Sequence, residues 1–180
     1  MDTTNVSFKK SASNYGLILG GILAGTTALL YAISLETLTK WWLGILLFLL
    51  SMIIGIVSVA KSKSILGGFI SFKQGFTSYF ITIAIGLFIS TLTAILIFNL
   101  VDPGAAEYLQ EQIVEITRSM MERFGAGEAD IDKAIANLEG QNSYSVGKLL
   151  QGFLFQLAFY SVFGLLIALI MKRKDPNSLD

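Results

Sequence analysis

The chain has 180 residues, 53 % of them apolar and only 14 % charged, where a soluble domain carries roughly 45–50 % and about 25 %. Thirteen Lys and Arg balance thirteen Asp and Glu, so no net field draws nucleic acid or an acidic partner. There is no His and no Cys, which excludes thiolate nucleophiles, disulfides, imidazole bases and His/Cys metal centres. Residues 1–14 read as a short tail carrying Lys9 and Lys10. Residues 15–35 form the first of four charge-free stretches, each of 19 residues or more, the length that crosses about 30 Å of hydrocarbon. A signal peptide ending at Ala32-Ile33-Ser34 would have an apolar core longer than the usual ~7–15 residues, so this span is expected to stay as an anchor. The second stretch is 42–60, with Trp41 and Trp42 where an aromatic belt holds a span's outer end.

Gly67-Gly68 then marks a turn. Ser71 followed by Gln74 fits a capping box, so the third helix is expected to start near Phe72, before the hydrocarbon, and to run over 72–101. Phe72, Phe76 and Phe80 share one side of it at headgroup level. The charge-free part, 79–101, holds fourteen Leu, Ile, Phe or Val residues, together worth roughly 4–8 kcal/mol towards insertion. The glycines of the preceding loop lack the spacing and the Lys-Ser or Lys-Thr of a phosphate loop.

Residues 102–148 are different in character. Asp102-Pro103 is a helix start with an acidic N-cap and proline in the first turn. Leu109, Ile113, Ile116, Met120 and Phe124 follow at helical spacing, and Gly125-Ala126-Gly127 ends the run. A shorter helix carries Ile131, Ile135 and Leu138 and stops at Gly140. The expectation is a soluble helical hairpin whose stripes cover each other or lie on the membrane; the sharper alternative is a docking surface over 104–140. Glu128, Asp130, Asp132 and Glu139 imitate a calcium loop, but the sixth-place glycine is missing and the segment reads as a helix start. The fourth span covers 149–171, and Lys172-Arg173-Lys174 opens a tail, 172–180.

Charge placement sets the expected orientation. Lys9, Lys10, Lys61, Lys63, Lys73 and the Lys172-Arg173-Lys174 run share their side with Asp2, Asp175 and Asp180, leaving +5; the other side totals −5. Basic loops stay inside, so both termini are expected in the cytoplasm, with the cations near anionic lipid at ~1 kcal/mol each.

Helices in lipid approach through small residues. The first span offers Gly16, Gly20, Ala24, Ala28 and Ala32 every fourth position, with Gly21 and Gly25 alongside. The third offers Thr82, Gly86, Ser90 and Ala94, the second Ser51 and Gly55, the fourth Gly164 and Ala168. These faces serve packing within a bundle, a dimer seam or a substrate groove. Gln156 and Tyr160 fall with Gly152 on one face of the fourth span, as a polar path or as hydrogen-bonding glue. No Asp, Glu, Lys or Arg lies inside a span, which counts against proton-coupled transport.

The basic N-terminus, the glycine-rich first span, the run Leu66-Gly67-Gly68-Phe69-Ile70-Ser71-Phe72-Lys73-Gln74-Gly75-Phe76, the acidic helical insert and the closing Lys172-Arg173-Lys174 resemble a bacterial integral-membrane family, domain of unknown function 4199. The resemblance implies about four spans and supplies no catalytic residue. The expected molecule is thus all-α, a four-span transmembrane bundle with a helical insert between spans three and four. It is expected to be a multi-pass protein of the bacterial cytoplasmic membrane, without cofactor or metal. Interaction or assembly, with itself, another membrane protein or an extracytoplasmic partner, is the leading expectation; a small oligomeric transporter or channel is the alternative. No nucleophile–base pair suggests an enzyme.

Overall fold

A computed structural model of the chain describes residues 3–173. Asp2 and the stretch 174–180, which enter the charge count and the closing tail, lie outside the described residues. The described chain is all-α: α1 Thr3–Ile33, α2 Trp41–Ile65, α3 Phe72–Ile95, α4 Pro103–Arg123, α5 Glu128–Glu139 and α6 Val146–Met171. Helices α1 from Val6, α2, α3 with its extension to Val101, and α6 are each long and apolar enough to cross a bilayer. These four apolar helices fit a multi-pass membrane protein.

The helices overrun the charge-free stretches at several ends. Residues 3–14, within the short tail of the sequence, form the opening turns of α1, with Phe8 and Ala12 buried. Lysine stems can lie along apolar surface while the ammonium reaches water, so Lys9 and Lys10 do not oblige the helix to stop. Helix α2 continues through Lys61 and Lys63 to Ile65, where the negative end of a helix favours cations. Helix α6 begins at Val146 rather than at 149. The start of α3 is where its sequence places it. Gln74 N donates to Ser71 Oγ (3.2 Å) and Ser71 N donates to Gln74 Oε1 (3.0 Å), a complete capping box.

Helix α3 is the hub. It packs most extensively on α1, then on α6 and α2, while α2 meets α6 only sparsely. At the basic end three segments are clasped together. Ile70 N donates to Arg173 O (3.1 Å) and Arg173 N to Ile70 O (2.9 Å). Lys63 Nζ donates to Met171 O (3.0 Å), and the Arg173 guanidinium lies 5.5 Å from the Phe69 ring centroid. The loop can turn back this tightly because Gly67 and Gly68 take φ of +77° and +90°, values that side chains resist.

At the opposite end α3 widens into a π turn over Leu96–Val101, closed by Asp102 N donating to Ile97 O (2.8 Å). Asp102 then serves two helices. Ala105 N donates to its Oδ1 (3.0 Å), capping α4, and Tyr31 of α1 donates its hydroxyl to Oδ2 (3.1 Å). Ala105, Ala106 and Leu109 bury against Ile97 and Phe98. Asn99 Nδ2 donates to Tyr144 O (2.9 Å), and Gln110 bridges Leu138 O and Ser143 N. The root of α4 and the return to α6 are thereby fixed to the bundle.

Candidate functional site

Three seams of small residues set how closely the helices approach. On α1 and α3 they interlock: a Cβ on Gly16 would lie 2.8 Å from Ile85 Cβ, one on Gly20 2.6 Å from Ile89 Cδ1, and one on Gly86 2.5 Å from Leu19 Cδ2. Gly55 of α2 and Gly164 of α6 flank one ring, that of Tyr79: an added Cβ would stand 2.5 Å from its Cε2 on one edge and 2.5 Å from its Cδ1 on the other. The ladder of α1 does not hold along its length. Gly16 and Gly20 are buried, Ala24 is half-buried, and Ala28 is exposed. Four residues turn a helix by about 400°, so each step drifts roughly 40° and Ala28 points some ~120° away from Gly16. Ala28 therefore leaves the seam in which its spacing placed it.

Alongside Tyr79 and from it towards the basic end lies a cluster of hydroxyls that the sequence reading passed over. Ser58, Ser62 and Ser78 join Thr82, all fully buried. Ser58 and Ser62 lie 3.2 and 2.7 Å from Ser78 Oγ. Thr82 Oγ1 is 2.7 Å from Ser58 Oγ, 3.0 Å from its own helix at Ser78 O and 3.0 Å from Ala12 O of α1. The signal was present in the four-residue spacings of 58/62 and 78/82, which put paired hydroxyls on facing stripes. With its hydroxyls mutually bonded, this half of the bundle is closed.

The half beyond Tyr79 is open. Phe48 stands edge-on to Phe163 at 5.4 Å, and Phe159 to Phe163 at 5.2 Å, and these rings act as spacers between α2 and α6. A cavity of about 310 Å³ remains, bounded among others by Leu47, Phe48, Ser51, Ser90, Gln156 and Tyr160. The two residues singled out on α6 thus share one space with Ser90 of α3. Tyr160 is buried beside Ser51, while Gln156 is exposed. Ser51 donates back to Leu47 O (2.8 Å), whereas no side-chain hydrogen bond engages Ser90 or Gln156 among the described residues.

Outside the spans, Glu107, Glu111, Glu115, Glu122 and Glu139 border an open groove of about 1050 Å³ along α4, with Arg118 among them. Among the described residues no group of three or more acids is disposed to hold a metal ion. Helix α5 has its stripe covered, with Ile131 and Ile135 buried. Helix α4 does not: Leu109 is buried, but Ile116, Met120 and Phe124 are 37 %, 53 % and 84 % exposed. Ile113 on the stripe is half-buried, as are Val114, Thr117 and Met121 on the adjoining face. Mutual burial thus covers one stripe and leaves the far half of the other bare. At the root, Tyr144 meets Phe98 edge-on at 5.0 Å, and burial raises its phenol above the ordinary tyrosine value.

A family model described as "Protein of unknown function (DUF4199)" matches residues 14–173. Neither the curated proteins nor the solved structures yield a match.

Proposed function

The chain belongs to the DUF4199 family of proteins of unknown function, and from that membership and this geometry we propose a non-enzymatic membrane protein whose work is interaction. The carrying observation is the bare distal stripe of α4, Ile116, Met120 and Phe124, on a helix whose root is fastened through Asp102, Asn99 and Gln110. Three large apolar side chains held out on a fixed stem favour burial against a neighbour at about 25 cal/mol per Å² covered. The partner is a second copy or another membrane protein. A single bundle offers little for solute passage, because Tyr79 and the hydroxyl cluster close the half near the basic end. The test is assembly in nanodiscs and in native membranes. Complexes above monomer mass are expected for the natural chain and monomers for Met120→Glu/Phe124→Glu. Unchanged assembly in that variant would refute the reading. Solute flux into proteoliposomes that vanishes in Gln156→Leu would favour the transporter alternative instead.

The same proposal places the basic end in the cytoplasm of a bacterium and α4 and α5 outside the cytoplasmic membrane, supported by the Lys and Arg distribution. The natural chain has no cysteine, so single thiols report cleanly. Ser64 and Ser119 are both exposed, unlike the buried Ser62. In intact cells with a permeabilised outer layer, Ser119→Cys is expected to react with an impermeant maleimide and Ser64→Cys only after lysis. The reverse pattern would invert the topology.

A further inference from the structure

We infer that the cavity between α2, α3 and α6, backed by Leu23 of α1, is a binding site for an uncharged, planar, bilayer-soluble molecule of one or two rings that carries a hydroxyl or carbonyl. The reasons lie in its wall. Buried Ser51, Leu87 and Tyr160 form its floor, while exposed Gly44, Gln156 and Phe159 stand on α2 and α6 at its rim. The mouth therefore opens sideways between those two helices, into the surrounding lipid rather than along the bundle axis. Its volume, about 310 Å³, is about twice the ~150 Å³ that accommodates benzene in a protein interior, enough for one or two fused rings. Phe48 and Phe159 present aromatic surface to a flat guest.

The polar side of the argument is Gln156. Counting 1.5 Å per residue, it lies roughly 15 Å along α6 from Val146 and roughly 22 Å from Met171, well inside the hydrocarbon. Its amide has two donors and an acceptor, and nothing among the described residues uses them. An amide without a partner in lipid is unfavourable, and Ser90, which lines the same cavity, likewise makes no side-chain hydrogen bond among the described residues. Together they present donors and an acceptor to one small polar group at the rim. No Asp, Glu, Lys or Arg borders the cavity, so a charged guest would enter uncompensated. Apolar walls with few convergent polar groups are the common form of a small-molecule site.

The test uses 2-naphthol and naphthalene, a pair differing by one hydroxyl, with the full chain in nanodiscs and empty nanodiscs as the partition blank. Saturable binding of 2-naphthol at one site per chain is expected, about five- to tenfold tighter than naphthalene, as one hydrogen bond confers. In Gln156→Leu that preference should fall to near unity. Gly44→Leu should fill the space and weaken both probes at least about tenfold; an added Cβ there meets nothing within 4 Å, so the new side chain starts without a clash. Ser90→Leu serves as a second filling variant. No saturable binding above the blank, or binding unchanged in both filling variants, overturns the proposal. Equal binding of the two probes, lost on filling, would mean a slot for lipid acyl chains and overturns it as well.

Discussion

Gly164→Ala and Gly55→Ala are each expected to destabilise the bundle by about 1–3 kcal/mol, the usual cost of overpacking a filled interior, although each adds a single methyl group. The reason is the Tyr79 ring. Each new Cβ would sit 2.5 Å from a ring carbon, and the ring cannot yield, because the opposite edge is held by the other glycine. Its hydroxyl is also held, 3.1 Å from Met52 Sδ, and the whole side chain is 1 % exposed. Tyr79→Ala should cost about 3–5 kcal/mol by leaving a cavity, since in lipid it is close packing that holds helices together. The measurement is the unfolding midpoint in mixed dodecylmaltoside and dodecyl sulfate micelles. In a Tyr79→Leu background, the added effect of Gly164→Ala should shrink to roughly 0.5 kcal/mol or less, as expected of sites that no longer share a contact. If Gly164→Ala costs the same with and without the ring, the wedge is not what joins α2, α3 and α6.

That wedge also explains why one half of the molecule was legible in the sequence and the other was not. Span number, the capping box at Ser71 and Gln74, and the Asp102 cap are local features, written in residues a few positions apart. Gly16, Gly20, Gly55, Gly86 and Gly164 were legible as small residues needing close neighbours, but not which neighbours: a tyrosine between two helices is a tertiary fact. Ala28 leaves the α1–α3 seam because a four-residue ladder ignores the drift of the helix. Ser58, Ser62 and Ser78 were missed because serine is cheap to hide in a span when it bonds its own backbone, and only the facing stripes of α2 and α3 reveal mutual bonding. The spacing of Leu109, Ile113, Ile116, Met120 and Phe124 marks a stripe on α4, but its distal exposure depends on which face α5 covers, which one helix cannot show.

The division between a closed and an open half follows from side-chain size. Near the basic end α2 and α3 face each other with Ser58, Ser62, Ser78 and Gly75, and α6 brings Ala168, whose Cα would stand 3.5 Å from a Cβ on Gly75. Backbones this close leave no space between them. Towards the other end α2 and α6 carry Phe48, Phe159 and Phe163, whose rings hold the helices apart. The cavity is therefore a consequence of aromatic spacers placed beyond a glycine-tight waist, and a guest entering from the lipid would meet Ser51, Leu87 and Tyr160 as its floor.

Gly86→Val is expected to be the most damaging single change in the α1–α3 seam, at or above about 3 kcal/mol, the upper end of typical overpacking costs. A Cβ at residue 86 would lie 2.5, 2.6 and 3.0 Å from Leu19 Cδ2, Cγ and Cβ, so turning the tip of the leucine aside does not relieve it. Leu19 is fully buried. The helices cannot simply part either, because Ile85 and Ile89 of α3 are seated in the gaps at Gly16 and Gly20 of α1. Displacing α1 would also break the bond from Thr82 to Ala12 O, leaving a buried hydroxyl network short of an acceptor. The control lies on the same helix as Leu19. An added Cβ on Gly21 or Gly25 meets nothing within 4 Å, so Gly21→Val should leave the micellar unfolding midpoint almost unmoved, and Leu19→Ala should recover part of the loss in Gly86→Val. Equal damage from Gly21→Val and Gly86→Val would mean that valine itself is at fault, not the seam, and the interlocked packing of α1 on α3 would have to be abandoned.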